Sequence, residues 1–279
     1  MAGLDQAAAQ RWIDRWDAQQ QAYMPDREER FTALIDAVEA GTQRPDPLVL
    51  DLGSGPGSLA VRLLERMPAA TVIAIDTDPL LLALGRAAYP ARAGLRFTDL
   101  DLRSPGWASQ LGLDRPADAA VSTTALHWLA PPALEAMYAE LATVLRPGGL
   151  LLDGDHLTED PAVAPTLARL DEALTRRITE RGTGHGSSTG HDPERGTGQG
   201  TGTGPAEDWQ AWWQAATADP ALAAPAAERE RRRLSEDHHG SESVLLARHV
   251  SALAAAGFSE IGVIWQHGES RILAAVRAG

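Results

Sequence analysis

Apolar residues recur at helical spacing over residues 4–22, where Trp12, Trp16 and Tyr23 fall on one face. A second helical stripe follows Pro25, a residue suited to a first turn, with Phe31, Leu34, Ile35 and Val38 in register and Gly41 as its stop. From Pro47 onward the period changes. Short apolar runs at residues 48–51, 71–76, 95–98, 119–122 and 150–153 alternate with helical patterns at 59–67, after Asp78-Pro79, and at 132–145. Strands separated by helices predict a mostly parallel sheet covered on both faces. Another helix is predicted over 161–180, with Leu167, Leu170, Leu174 and Ile178 turned inward. Helical pieces resume at Trp209, Trp212 and Trp213, followed by the charged run 228–233, which reads as a salt-laced helix face. The chain closes with a helix over 244–256, a Gly257 cap, and strands over 261–265 and 272–276 joined at Gly268, an antiparallel hairpin.

Residues 182–204 interrupt this order with Thr-Gly repeats and no aliphatic side chain. Such a tract cannot bury apolar surface and is expected to be a disordered linker. The patterning divides the chain into an N-terminal helical cap (1–44), a core (45–158), a helical insertion or lid (159–242) and a C-terminal helix and hairpin that complete the core sheet (243–279). The predicted class is α/β: a Rossmann-like, doubly wound sheet, mostly parallel, with N-terminal helices and a helical insertion.

Composition narrows the chemistry. A net charge of −13 over 279 residues argues against nucleic acid or an anionic membrane as a partner. With no cysteine there is no disulfide, thiol nucleophile or thiolate metal site. Lysine and asparagine are also absent, which removes a P-loop lysine, a pyridoxal Schiff base and a catalytic asparagine. The first residues lack a basic region followed by an apolar run, and no apolar stretch approaches ~20 residues, so a cytoplasmic protein, monomer or homodimer, is expected.

The segment Val49-Leu50-Asp51-Leu52-Gly53-Ser54-Gly55-Pro56-Gly57-Ser58-Leu59 reads as a buried strand, a tight turn and a helix N-terminus. Glycines there let the backbone approach a ligand that a Cβ would block. Asp76 closes the second strand, where a carboxylate can accept both hydroxyls of a ribose. Asp99-Leu100-Asp101-Leu102 follows the third, where an acid and a backbone amide can read an adenine edge beside the apolar Leu102. All three features lie at carboxyl ends of strands, where open α/β sheets bind ligands. A dinucleotide fingerprint requires Gly-x-Gly-x-x-Gly, and Ser58 stands where its third glycine would fall. Asp51, ahead of the turn, suits a ligand with a cationic amino end, as in S-adenosylmethionine.

On these motifs the chain resembles class I (seven-strand) S-adenosylmethionine-dependent methyltransferases, from residue 48 to about 156 and more weakly over 244–277. Val144-Leu145-Arg146-Pro147-Gly148-Gly149 looks like that family's turn before strand five, and Ala256-Gly257-Phe258 like the approach to its closing strands. Ser122-Thr123-Thr124-Ala125-Leu126-His127-Trp128 resembles small-molecule members of the trans-aconitate methyltransferase type. The resemblance implies S-adenosylmethionine as cofactor, with Gly53 and Gly55 at its methionine part, Asp76 at the ribose and Asp101 at the adenine amino group. The full cofactor set expected is Asp51, Gly53, Ser54, Gly55, Asp76, Thr77, Asp101, Leu102 and Thr123. The Thr-Gly tract and the Trp-rich segment match no motif of the family.

The acceptor is expected to be a small, apolar or aromatic metabolite, lined by Trp16, Tyr23, Arg27 and Trp128. His127 and His156, each following a strand at the cofactor edge, are candidates for a general base. No metal is expected; His185 and His191 sit in the Thr-Gly tract, and His238-His239 reads as a loop. The alternatives are a cyclase-type enzyme using the same cofactor without methylation and, with less support, an NAD-linked oxidoreductase.

Overall fold

The computed structural model describes residues 4–184, 207–235 and 245–279. The Thr-Gly tract beyond residue 184, and with it His185 and His191, lies outside these residues, as does His238-His239; residues 182–184 close a helix.

Seven strands form one sheet: β1 (Leu48–Leu52), β2 (Thr71–Asp76), β3 (Leu95–Asp99), β4 (Ala117–Thr123), β5 (Leu145–His156), β6 (Phe258–His267) and β7 (Ser270–Arg277). Their order is β3-β2-β1-β4-β5-β7-β6. The first five are parallel; β7 runs antiparallel to β5, with Asp153 opposite Leu273, and β6 antiparallel to β7. The order reverses between β1 and β4, and that reversal opens a crevice at the strands' carboxyl ends. The class expected from the sequence is therefore the one observed.

Helices α1 (Gln6–Tyr23) and α2 (Arg27–Thr42) precede the sheet; α3 (Ser58–Arg66), α4 (Pro79–Ala88), α5 (Trp107–Gln110) and α6 (Pro131–Val144) connect its strands. Further on come α7 (Pro165–Gly184), α8 (Trp209–Ala218), α9 (Ala223–Ser235) and α10 (Leu246–Ala255). One sheet face packs Trp107, Met137, Tyr138, Leu141 and Leu253 against Leu50, Leu52 and Leu151. The other packs Phe31, Leu34, Val38 and Leu63 against Val49, Val72 and Val121. A third, smaller core joins Trp12 and Ile13 of α1, Leu80 and Leu84 of α4, and Trp212 and Ala216 of α8. Thus α2 belongs to the sheet's own covering layer, whereas α1 and α9 pack on α4, and α8 packs on α1 and α9.

Two expectations are corrected by packing. Leu167, Leu170 and Leu174 do not face inward; they are 54%, 53% and 47% exposed. The polar face of α7 docks instead: Asp171 pairs with Arg271, and the Thr175 hydroxyl accepts from the Glu269 amide at 3.0 Å. The strand expected at 150–153 begins at Leu145 and runs through Pro147-Gly148-Gly149, with a register shift opposite Ala117–Ala119 and Gly148 at φ 71°. Among the described residues no helix is long and apolar enough to cross a membrane.

Candidate functional site

The turn after β1 is tied to the end of β2. The Gly53 and Ser54 amides both donate to the Ile75 carbonyl at 2.9 Å, and the Gly55 amide donates to Asp76 Oδ2 at 2.7 Å. Gly53, Gly55 and Gly57 have φ of 71°, 56° and 91°, a region that disfavours any side chain. A Cβ on Gly53 would lie 2.3 Å from the Ala125 Cβ, so this glycine is what lets the turn meet the β4 loop.

Two carboxyls stand at this turn without an ion-pair partner among the described residues. Asp51 is fully buried, and neither of its oxygens finds a donor in hydrogen-bonding geometry. Burial, then the neighbouring Asp76, push its carboxyl up to about 7, against a weaker pull from the Ala60 amide. Burial raises Asp76 to about 6, although the Asp78, Gly55 and Thr77 amides favour its anion. Two unneutralised acids behind a glycine turn fit the cationic amino end of a ligand.

The strand ends enclose a cavity of about 1100 Å³. Of the cofactor residues expected from sequence, Gly53, Ser54, Gly55, Asp76, Thr77, Asp101, Leu102 and Thr123 line it, and Asp51 lies beneath. Thr123 Oγ1 is buried without a partner among the described residues. Asp101 is already engaged: the Arg103 guanidinium donates to both its oxygens, at 2.9 and 3.1 Å from Nε. Trp16, Tyr23, Arg27 and Trp128 line the same cavity, together with Met24, Phe31 and Leu129. Arg27 pairs with Asp17 at 2.8 Å, and burial lowers its pKa.

Both candidate histidines border the cavity but differ in support. His127 Nδ1 lies 2.8 Å from Asp155 Oδ1 and 2.9 Å from Oδ2, and its backbone amide points at the same carboxylate. Burial pushes Asp155 up, yet the His127 contact, the His156 amide and Arg30 outweigh it and hold it below the ordinary carboxylate range. Such a carboxylate fixes the tautomer with hydrogen on Nδ1, leaving Nε2 for the cavity. Thr124, at φ 48°, donates its amide to the Gly154 carbonyl and so ties the His127 loop to β5. His156 is exposed, burial of its inner side and then Arg30 lower its pKa, and its amide rather than its ring bonds Asp155.

Asp155 was not among the residues expected from sequence. Its signal was an acid beside His156 at a strand end, but its partner is 28 residues away. Behind it, Asp153 is fully buried and raised well above the ordinary range, by burial and then by Asp155. Its neighbour His249, lowered by burial to about 4, receives the Tyr138 hydroxyl at 2.7 Å.

Residues 49–149 match the family model described as "Methyltransferase domain". The chain is similar to trans-aconitate 2-methyltransferase of Azoarcus sp. (strain BH72), 33% identical over 136 residues that cover 49% of each protein. It is also similar to an uncharacterized methyltransferase of Mycobacterium tuberculosis, 39% identical over 104 residues covering 37% of each. The chain spans about half the length, or less, of the curated relatives it matches. Among solved structures, magnesium protoporphyrin IX methyltransferase from Synechocystis PCC 6803 with bound SAH aligns with a TM-score of 0.53, covering 95% of this chain and 94% of that one at 16% identity. An O-methyltransferase family protein from Burkholderia thailandensis aligns at 0.55, covering 99% and 64% at 15% identity. At these identities the likeness concerns the fold.

Proposed function

We propose that residues 49–149, which match a methyltransferase-domain model, work as a class I, S-adenosylmethionine-dependent methyltransferase, and that the chain transfers a methyl group from S-adenosylmethionine to a small apolar or aromatic metabolite. One observation carries this reading: a single cavity joins the glycine turn and Asp76 to a wall of Trp16, Phe31 and Trp128, with the Asp155-bound His127 at its border.

S-adenosylmethionine brings an electrophilic methyl on a sulfonium, so the hard chemistry is the cofactor's. Asp51 and Asp76 would hold its cationic amino end and ribose, and Leu102 would offer an apolar face to the adenine. Asp101, held by Arg103, marks the adenine end through its loop rather than through a free carboxylate. The chain's remaining work is to align the acceptor with the methyl and keep water out. His127 Nε2 takes the proton from a hydroxyl acceptor while Asp155 steadies the ring. His156, exposed and without a carboxylate at its ring, serves better as an acceptor contact.

The cations lining the cavity support an uncharged acceptor. Arg27, Arg103 and Arg229 are each spoken for, by Asp17, Asp101 and Asp78. The test is a panel of small metabolites, with trans-aconitate included because it is named for the Azoarcus relative, assayed with methyl-labelled cofactor. A product heavier by one methyl supports the proposal. Release of methylthioadenosine without methylated product points to cyclase-type use of the cofactor, and turnover with NAD alone overturns both.

A further inference from the structure

Arg30, on α2, is fully buried, yet no carboxylate ion-pairs with it among the described residues. Its Nη1 donates to the Ser270 hydroxyl at 3.1 Å, its Nη2 contacts the Met24 sulfur at 3.1 Å, and its Nε finds no acceptor. A hydroxyl and a thioether are weak compensation for taking a full charge out of water. Burial lowers the guanidinium's pKa. Among the neighbouring charges Asp155 opposes that most and Asp26 next, while Arg27 works with burial.

The position of this cation is set by β5. Arg30 Cδ lies 3.2 Å from where a Cβ on Gly154 would sit, so the bare glycine is what lets the arginine stem cross the strand. Side chains alternate across a strand, as Leu151 and Leu152 do between the two cores, so Gly154 and His156 share the α2 face while Asp153 and Asp155 take the other. Ser270, which receives Nη1, stands opposite His156 in the β5–β7 register. Met24, at Nη2, lines the cavity, as does His156. The guanidinium therefore lies against β5 beside His156, with the Asp155 that holds His127 on the far side of the same strand. Arg271, next to Ser270 on β7, is taken up by Glu159 and Asp171.

His156 responds to these charges. Burial lowers its pKa first and Arg30 next; Asp155 and Asp26 pull the other way, and His127 adds to the lowering. Asp153, raised well above the ordinary range by burial, is uncharged, so one cation and one carboxylate cancel at this end of the cavity.

We infer that Arg30 is a positioning residue for the acceptor end of the cavity: laid on Gly154, its guanidinium is the fixed positive charge that holds His156 as an uncharged ring and offsets the Asp155 carboxylate, so that an acceptor meets no net charge there. The inference rests on the functional reading above, which puts the acceptor beside His127 and His156.

A nuclear magnetic resonance titration of the full chain, labelled in its histidine rings, tests it, with the His156 signal assigned by its loss in His156→Gln. Arg30→Met keeps a stem on Gly154 and removes the charge; Arg30→Lys keeps the charge; circular dichroism verifies that each folds. The His156 midpoint is expected below 6.5 in the wild type. In Arg30→Met it is expected to rise by about one pH unit, or tenfold in proton affinity, and in Arg30→Lys to return towards the wild type. A side chain that acts by packing alone leaves the midpoint unmoved in Arg30→Met, and that result overturns the inference. So does a wild-type midpoint at or above 6.5, whether or not Arg30→Met folds. Calorimetry with S-adenosylhomocysteine on the same samples separates the two readings. Absence of binding to the wild type overturns the functional reading and the acceptor role with it, whereas binding beside a His156 midpoint indifferent to Arg30 overturns this inference alone.

Discussion

His127 and Asp155 meet across the ends of two neighbouring strands, with the imidazole Nδ1 2.8 Å from one carboxylate oxygen and 2.9 Å from the other. The pair borders the cavity that also holds the glycine turn. Among the described residues of this wall, His127 is the imidazole oriented by a carboxylate, the support a general base requires.

Replacing His127 by Gln is therefore expected to lower turnover on a hydroxyl acceptor by about 10²–10⁴-fold, with S-adenosylhomocysteine affinity nearly unchanged. Asp155→Asn is expected to cost up to about 10⁴-fold through loss of the tautomer and ring orientation. Steady-state kinetics beside calorimetry reads both. Equal, small losses in His127 and His156 variants would remove the base assignment.

Much of the sheet can be read from residue order because the relevant physics is local. The apolar run before Asp51, the alternate glycines and the Asp78-Pro79 start of α4 each specify their conformation within a few residues. What could not be read depends on distant partners. Asp155 meets a histidine 28 residues away, and Trp213 packs against Trp16 from a distant part of the chain. The stripe of Leu167, Leu170 and Leu174 has ideal helical spacing for burial, yet α7 docks through Asp171 and Thr175, because Arg271 and the β6–β7 turn offer polar partners there. Periodicity shows that a helix has an apolar face; it does not say which face finds a neighbour.

Asp51 makes the protein's stability depend on pH. Its carboxyl is raised from 3.8 unfolded to about 7 folded, so its contribution is fully present below pH 3.8 and is lost as pH rises through 7. Asp76 acts in the same sense with a loss that ends near pH 6. The free protein is expected to weaken between about pH 4 and pH 7, and Asp51→Asn to flatten that dependence, by about 1–3 kcal/mol at pH 8, in urea unfolding.

The same acid has the opposite effect on a cationic ligand. On the proposed reading, ionised Asp51 would attract the amino end of the cofactor, so affinity is expected to rise from pH 6 to pH 8 with release of a proton on binding. Calorimetry in buffers of different ionisation enthalpy measures that proton. Asp51→Asn should abolish both the rise and the release; an affinity indifferent to pH in the wild type contradicts the assignment.

Gly53→Ala places a methyl 2.3 Å from the Ala125 Cβ at φ 71°. Left-handed strain and the clash together are expected to cost about 2–4 kcal/mol in denaturant unfolding. Cofactor binding should fall as well, since relief of the clash moves the turn or the His127 loop. Unchanged stability would show that the two loops separate freely, and that the cavity floor is not built as described.

The most direct measurement is calorimetric titration of the folded wild-type chain with S-adenosylhomocysteine, with Asp76→Ala in parallel. One molecule bound per chain, and affinity reduced at least about tenfold by the substitution, is the outcome expected for a carboxylate that receives the ribose. No heat with S-adenosylhomocysteine or S-adenosylmethionine contradicts the assignment of this cavity to an adenosyl sulfonium cofactor.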